Sequence, residues 1–218
     1  MKSMPKSVRP LTLLDRFIVE FDRGLATVLG TPCASRPYPA ERQPEPVLTR
    51  EERRQSAGFM RVNYSGEVCA QALYHAQACV AKDISTKTLL LGCAQEENDH
   101  LAWCHQRLND LDSHRSFLNF YWYTQAFCIG LIAGLAGDPW SLGFVEETEV
   151  QVTEHLKGHL NRLTPKDTAS HAVLSQMAQD EIVHAETAQA AGAASLPTFI
   201  KFLMRCQAKV MTTLAYYI

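Results

Sequence analysis

The chain has 218 residues, of which 46% are hydrophobic and 20% are charged, and its formal net charge is −2. This length gives a core for one domain with small appendages. The absence of a basic excess argues against nucleic acid as a partner. Seven cysteines, an odd number without a Cys-x-x-Cys pair, argue against a disulfide framework or a zinc ribbon and indicate a reducing compartment.

Residues 1–48 are predicted to precede the folded domain. Apolar residues recur at helical spacing over residues 12–29, which predicts a short amphipathic helix. A run of prolines over residues 31–48 predicts an extended linker. The first fourteen residues are basic but have no long apolar run, so we expect no secretory signal and favour a bacterial cytoplasmic location over mitochondrial import.

Residues 49–218 are predicted to form one domain made of helices. Thr49, followed by Glu52, has the form of a capping box and marks the start of the domain. Pro165 is interpreted as another helix start. No stretch shows the two-residue alternation of a strand, so the expected fold class is all-α. The predicted helices cover about 50–81, 86–109, 117–136, 140–163, 166–192 and 198–215.

Two Glu-x-x-His sequences carry the clearest chemical signal in the chain. Glu97 and His100 form one pair, and Glu181 and His184 form the other. Residues three apart share a face of a helix, so each pair presents a carboxylate and an imidazole to one point. Each pair is also preceded directly by an acidic residue.

Each pair has a further glutamate upstream on the preceding predicted helix, Glu67 for the first pair and Glu149 for the second. The chain therefore contains the same helix–turn–helix unit twice. Two Glu-x-x-His helices with two further glutamate helices are the signature of ferritin-like di-iron and di-manganese four-helix bundles. Four carboxylates and two imidazoles offset the charge of two divalent cations and suit iron or manganese. The predicted metal ligands are Glu67, Glu97, His100, Glu149, Glu181 and His184.

Some neighbouring residues allow more than one interpretation. Glu149 is preferred to Glu146 and Glu147 as a ligand because the two halves of the chain align at that position. His155 is a candidate to orient a metal ligand, with a surface or core role as the alternative. Gly66, inside a helical pattern, is either a tolerated kink or a point of close approach by a substrate or a helix.

Residues 117–137 contain no charged side chain and are long enough to span a bilayer. A span here would place the two Glu-x-x-His pairs on opposite sides of the membrane. We therefore predict a hydrophobic crossover helix that is buried or lies in the membrane interface. Near the C-terminus, Lys201, Arg205 and Lys209 recur among apolar residues. This pattern is typical of an amphipathic membrane-surface helix, and a packing helix with a charged outer stripe is the alternative.

Four segments together resemble the demethoxyubiquinol hydroxylases of ubiquinone biosynthesis. They are Asn-Tyr-Ser-Gly-Glu-Val-Cys-Ala-Gln (63–71), Glu-Glu-Asn-Asp-His-Leu-Ala-Trp-Cys (96–104), Ser-Leu-Gly-Phe-Val (141–145) and Asp-Glu-Ile-Val-His-Ala (180–185). The resemblance runs from about residue 50 to the C-terminus. It implies a monooxygenase that uses O2 to hydroxylate the ring of a polyprenylated demethoxyubiquinol. It also implies two iron ions (Fe2+/Fe3+) held by the six residues above, with Glu97 and Glu181 bridging. Tyr64 departs from the family pattern, which has His there.

The resemblance also implies partners and a location. Because a prenylated quinol is lipid-soluble, we expect peripheral association with the cytoplasmic face of the bacterial inner membrane and no nucleic-acid partner. A homo-oligomer is left open. The rival interpretations are a ferroxidase or iron-handling protein and another di-iron hydroxylase, such as one acting on tRNA. The first predicts a large soluble cage with no membrane affinity. The absence of a broad basic surface and the presence of the amphipathic tail argue against the second.

Overall fold

The computed structural model describes residues 12–43 and 47–218, and these residues form seven helices and no strand. The expected all-α class is confirmed. The basic residues 1–11 lie outside the described part of the chain, as do Pro44 and Pro46 of the predicted linker. The helices are α1 (Leu13–Leu29), α2 (Arg50–Val80), α3 (Ile84–Asp110), α4 (Asn119–Leu135), α5 (Asp138–Leu160), α6 (Thr168–Ala190) and α7 (Thr198–Tyr217).

The four longest helices form a bundle of two hairpins, in which α2 packs against α3 and α5 packs against α6. Helix α4 connects the hairpins and lies along α2, while α1 packs on α2 and α4. Helix α7 packs on α2 and α5. This is the predicted ferritin-like four-helix bundle, with its hydrophobic crossover helix and its separate C-terminal helix.

Helix starts follow local capping chemistry, with one correction. The capping box at Thr49 is present, because Glu52 N–H donates to the Thr49 hydroxyl at 3.2 Å and Thr49 N–H donates to the Glu52 carboxylate at 2.9 Å. The interpretation of Pro165 as a helix start was wrong. Helix α6 begins at Thr168, because the buried carboxylate of Asp167 accepts the Ser170 N–H at 2.9 Å and caps the helix there.

The crossover helix α4 approaches α2 closely through a glycine. A Cβ atom at Gly130 would lie 2.7 Å from the carbonyl oxygen of Leu73, so a larger residue would push the two helices apart. The opposite face of α4 is exposed and apolar, with Phe120 and Ile132 on it. No helix in the described part of the chain is long and apolar enough to cross a membrane.

The described part of the predicted linker has no helix but lies against the bundle. Arg115 Nη1 donates to the carbonyl oxygen of Gly30 at 2.8 Å, which fixes the end of α1. Tyr38 packs on the core and Ala40 is buried. Residues 33–36 lie against α3 and α6, beside a cluster of carboxylates and imidazoles in the interior of the bundle.

Candidate metal centre

The structure brings all six predicted ligand residues together in the middle of the bundle. Helix α2 contributes one glutamate, α3 a Glu-x-x-His pair, α5 one glutamate and α6 the second Glu-x-x-His pair. Each of the six side chains belongs to a residue that is at most 3% exposed. Carboxylates are buried at this density only where they are paired, protonated or bound to a cation.

Six residues form two overlapping groups whose candidate ligand atoms lie within 4.8 Å of one another. One group is Glu67, Glu97, His100 and Glu181, and the other is Glu97, Glu149, Glu181 and His184. Glu97 and Glu181 belong to both groups, so each of these two carboxylates faces both candidate cation positions. The geometry is that of two adjacent cation positions sharing two carboxylates.

Both imidazoles present Nδ1 to the carboxylates. His100 Nδ1 lies 2.9 Å from Glu97 Oε2 and 3.2 Å from Glu181 Oε1. His184 Nδ1 lies 3.1 Å from Glu181 Oε2 and 3.2 Å from Glu97 Oε1. Both nitrogens therefore point at the space that the four carboxylates enclose.

The outer nitrogens of the imidazoles are held by the acids that precede the two motifs, in a crosswise arrangement. His100 Nε2 lies 2.9 Å from Asp180 Oδ2, and His184 Nε2 lies 3.0 Å from Glu96 Oε2. Each acid thus holds the histidine of the other motif. A carboxylate on Nε2 keeps the proton there and leaves Nδ1 as the metal-binding nitrogen. The sequence shows an acid before each motif, but it does not show that each acid contacts the histidine of the other motif.

The cluster holds more negative charge than a buried site tolerates without cations. Burial, followed by repulsion from Glu97, raises the pKa of Glu67 well above its usual value, and burial with the charge of Glu181 does the same for the pKa of Glu149. Burial alone would lower the pKa of His100, but the surrounding carboxylates raise it well above normal. Protons therefore occupy the cluster when no cation does, and cation binding displaces them.

Unsatisfied oxygens test whether the residues fit a pair of metal ions. One carboxylate oxygen on each of Glu97, Glu149 and Glu181 is buried and has no hydrogen-bond partner among the described residues. Such atoms are costly unless a cation fills their coordination. Together with two Nδ1 atoms they form an oxygen-rich, nitrogen-containing donor set of the kind that iron and manganese prefer.

Glu146 and Glu147, the glutamates near Glu149 in the sequence, lie outside both candidate cation groups. Glu147 binds Lys201 of α7, with Oε2 2.6 Å from Nζ. Glu146 belongs to neither candidate cation group. The geometry therefore separates Glu149 from the two glutamates with which it competed in the sequence.

His155 packs against His159 and belongs to neither candidate cation group. Its ring meets the ring of His159 edge-on, with centroids 4.0 Å apart, and its Nε2 is buried without a hydrogen-bond partner. The residues on Nε2 of the two histidines of the cluster are instead Asp180 and Glu96, which the sequence interpretation did not assign to this role. The acid that directly precedes each motif is the sequence feature that could have identified them. Tyr64 is fully buried, and its hydroxyl accepts a hydrogen bond from Arg115 Nη1 at 3.0 Å.

A cavity of about 940 Å³ leads from the cluster to α7. Glu67, Glu149 and Glu181 lie at its inner end. Gly66 lines it too, and a Cβ atom built there would meet no heavy atom within 4 Å. The glycine therefore leaves space beside Glu67 rather than admitting a neighbouring helix. The apolar lining includes Val62, Ala70, Leu73, Phe144, Met211 and Tyr216.

A four-helix bundle with two Glu-x-x-His helices and two further glutamates facing one point defines the class of ferritin-like carboxylate proteins. Within this class, residues 54–215 match the family described as ubiquinone biosynthesis protein COQ7, and the chain belongs to that family. The resemblance inferred from the four segments is thereby confirmed, and all six candidate ligands fall inside the matched region.

Curated relatives agree with the family match. The chain is 51% identical to the 3-demethoxyubiquinol 3-hydroxylase of Coxiella burnetii (strain RSA 331 / Henzerling II) over 99% of this chain and 100% of that protein. It is 52% identical to the protein of the same name from Xanthomonas euvesicatoria pv. vesicatoria, over 93% of this chain and 94% of that one. The similarity to the Coxiella protein therefore extends into residues 1–48, which the resemblance by motif did not cover.

Proposed function

We propose that this chain is a 3-demethoxyubiquinol 3-hydroxylase, a monooxygenase that adds a hydroxyl group to the ring of a polyprenylated demethoxyubiquinol during ubiquinone biosynthesis. The observation that carries the proposal is the apolar cavity that ends at Glu67, Glu149 and Glu181. Its volume lies at the upper end of the range of about 300–1,000 Å³ found for ligand pockets. A ring with an apolar tail fits this space, and its inner end would lie against the carboxylate cluster.

In this proposal two iron ions would be held by Glu67, Glu97, His100, Glu149, Glu181 and His184, of which Glu97 and Glu181 belong to both candidate groups. The irons would supply the activation of O2 that ring hydroxylation requires. The protein supplies the remainder: Asp180 and Glu96 orient the two imidazoles, and the apolar walls exclude water and align the ring. The cavity also supports a hydroxylase over the iron-handling alternative, since iron handling needs no apolar channel of this size.

We further propose that the protein binds peripherally to the cytoplasmic face of the bacterial inner membrane. Helix α4 contacts α1 near Tyr123 and contacts α7 through Trp122 and Met211, so these three helices are neighbours. Exposed apolar side chains along them suit the membrane interface, where a prenylated substrate resides. Vesicles of anionic lipid should co-sediment with the protein, and no binding at low salt would contradict this placement. These side chains include Phe17, Phe21, Phe120, Tyr121, Phe199 and Phe202.

Quinone analysis of a bacterial strain that lacks the gene tests the activity. The strain should accumulate demethoxyubiquinone, and the wild-type chain should restore ubiquinone. Glu181→Ala should not restore it, because it removes a carboxylate that both candidate metal positions share. The matched control is Glu186→Ala on the exposed face of the same helix, which should restore ubiquinone like the wild type. An unchanged quinone profile in the deletion strain would refute the proposed activity.

A further inference from the structure

The two histidines of the candidate metal centre are held by very different surroundings. Asp180, the partner of His100 Nε2, is itself held by other side chains and has 14% of its own side chain exposed. Glu96, the partner of His184 Nε2, has 55% of its side chain exposed. Within the described residues, Glu96 has no hydrogen bond or ion pair other than the one to His184. Both imidazoles are buried, but the carboxylate that holds His100 is fixed by protein side chains, whereas the carboxylate that holds His184 is exposed to solvent.

The anchor on the His100 side comes from the segment before the bundle. Arg36 places Nη1 2.9 Å from Asp180 Oδ2 and donates from Nε to Asp99 Oδ2 at 2.7 Å. One guanidinium thus joins a carboxylate on α6 to a carboxylate on α3, in the fork geometry that arginine adopts and lysine cannot. The guanidinium also lies over the Trp103 ring, 4.7 Å from its centroid.

Backbone contacts fix this arginine in place. Ser35 N–H donates to Asp99 Oδ1 at 2.6 Å, and Asn98 Nδ2 donates to the carbonyl oxygen of Cys33 at 2.6 Å. On the other side, Gln176 Nε2 donates to Asp180 Oδ1 at 2.9 Å. We name residues 33–36 the strap. The strap closes a chain of contacts from the N-terminal segment through Arg36 and Asp180 to His100.

We propose that the strap is a positioning element for the metal centre, and that it makes the metal position at His100 hold its ion more tightly than the position at His184. This inference rests on the proposed di-metal centre. A partner that orients a metal-binding imidazole contributes about 10–100-fold to metal affinity. Asp180 is held on both oxygens, whereas Glu96 can swing into water and exchange its hydrogen bond for one to solvent.

Metal release from the holoprotein tests the inference without using activity as the readout. The full chain, loaded anaerobically with two equivalents of Fe2+, is mixed with excess chelator and the release is followed by absorbance. Wild-type protein should release iron in two phases. Arg36→Gln should accelerate the slow phase about 10-fold and leave the fast phase unchanged. Arg36→Lys, which retains the charge but not the fork, should recover part of the slow rate.

Two control variants and a diffraction measurement assign the phases. Arg115→Gln removes another arginine that ties the N-terminal segment to the bundle, through Gly30 and Tyr64, and should leave both phases unchanged. Glu96→Ala should accelerate only the fast phase. In crystals loaded with one equivalent of Co2+, anomalous density should appear beside His100. Far-UV circular dichroism checks that every variant keeps its helical content.

Several outcomes would overturn the inference. Release in a single phase, equal acceleration of both phases by Arg36→Gln, or one-equivalent Co2+ density beside His184 would each refute the role of the strap while leaving the proposed centre intact. A wild-type chain that binds neither Fe2+ nor Co2+ would refute the proposed metal centre, and this inference with it.

Discussion

The carboxylate–histidine cluster has one closed face and one open face. On the closed face, His100 is backed by Asp180, and Arg36 ties that carboxylate to the neighbouring helix. On the open face, Glu67 and Glu149 line a cavity of about 940 Å³. The closed face contains paired charges with short contacts, and on the open face Glu149 has a buried carboxylate oxygen without a hydrogen-bond partner among the described residues.

In the proposed metal centre, this difference separates the residues that would hold the metal ions from those that would face the substrate. Residues that hold a site in place need fixed partners, because a loosely held imidazole costs affinity. Residues that face a reacting molecule need free coordination positions and space. The duplicated sequence unit supplies the same residue types on both hairpins, and the surroundings divide them into the two tasks.

The largest expected effect concerns the carboxylates shared between the two cation positions. Glu97→Ala should remove both metal ions, because Glu97 belongs to both groups. Glu67→Ala should remove one, because Glu67 belongs to a single group. Iron content per chain after anaerobic reconstitution should therefore be close to zero for Glu97→Ala and about one for Glu67→Ala. Equal iron content in the two variants would contradict the sharing.

A smaller effect is expected for the ion pair that braces the closed side. Asp167 Oδ1 lies 3.0 Å from Arg107 Nη2, and both side chains are fully buried. Asp167→Asn keeps the shape of the helix cap but removes a buried carboxylate charge 3.0 Å from the Arg107 guanidinium, which also has Asp110 Oδ2 3.7 Å from Nη1. The free energy of unfolding should therefore fall by about 3 kcal/mol, the lower end of the range for breaking a buried ion pair. Urea denaturation at a fixed iron load measures this.

An Asp→Asn change in an exposed ion pair is the control for the buried pair of Asp167 and Arg107. Asp112 has 88% of its side chain exposed and pairs with Arg53 at 3.0 Å. Asp112→Asn should change the free energy of unfolding by less than about 1 kcal/mol, because an exposed pair is screened by water. A similar loss of unfolding free energy in Asp167→Asn and Asp112→Asn would show that the buried pair does not stabilise the bundle more than an exposed pair does.

On the open side, a histidine that is buried in its neutral form should make the protein sensitive to acid. Burial lowers the pKa of His159 to about 2, well below its usual value near 6.5. Below pH 6.5 the unfolded chain therefore takes up a proton that the folded chain does not, so stability falls as the pH falls. Protonation of this histidine in the unfolded chain should lower the free energy of unfolding by about 2 kcal/mol between pH 6.5 and pH 5.

His159→Phe tests that contribution because the ring of His159 stacks on Phe59, with centroids 4.2 Å apart, and phenylalanine can keep this contact. The variant should be less stable at pH 7, since Asn63 loses its 3.2 Å contact with His159 Nδ1. Its free energy of unfolding should, however, change less between pH 7 and pH 5 than that of the wild type. Parallel pH profiles for the two proteins would contradict the assignment.

The smallest expected effect comes from filling the cavity beside the cluster. Gly66→Leu adds a side chain where a Cβ meets no atom within 4 Å, so the fold should tolerate it while the ring site narrows. We expect KM for the quinol to rise about 10-fold, which corresponds to about 1.4 kcal/mol, with unchanged iron content. Gly92→Leu is the matched control, because Gly92 is equally uncrowded but does not line the cavity. Equal KM values for Gly66→Leu and Gly92→Leu would show that the quinol ring does not bind in the cavity beside Glu67.

The sequence by itself determined the helices and the candidate ligand set. Helical periodicity, capping chemistry and proline punctuation depend on neighbouring residues, so the order of the helices followed from local physical chemistry. The Glu-x-x-His spacing gives each pair a shared face for the same reason. Pro165 shows the limit of predicting a helix start from local sequence. The residue that caps α6 is Asp167, and its burial depends on Arg107, which belongs to α3.

Only the tertiary structure decided what surrounds those ligands. The crosswise hold of Asp180 on His100 and of Glu96 on His184 joins residues that are 80 and 88 positions apart. The strap reaches Asp99 and Asp180 from residues that the sequence assigns to a linker. Such contacts depend on how whole helices pack, which no local pattern of residue types encodes. The doubled motif therefore predicts two equivalent candidate metal positions, and the packing gives their two histidines different surroundings.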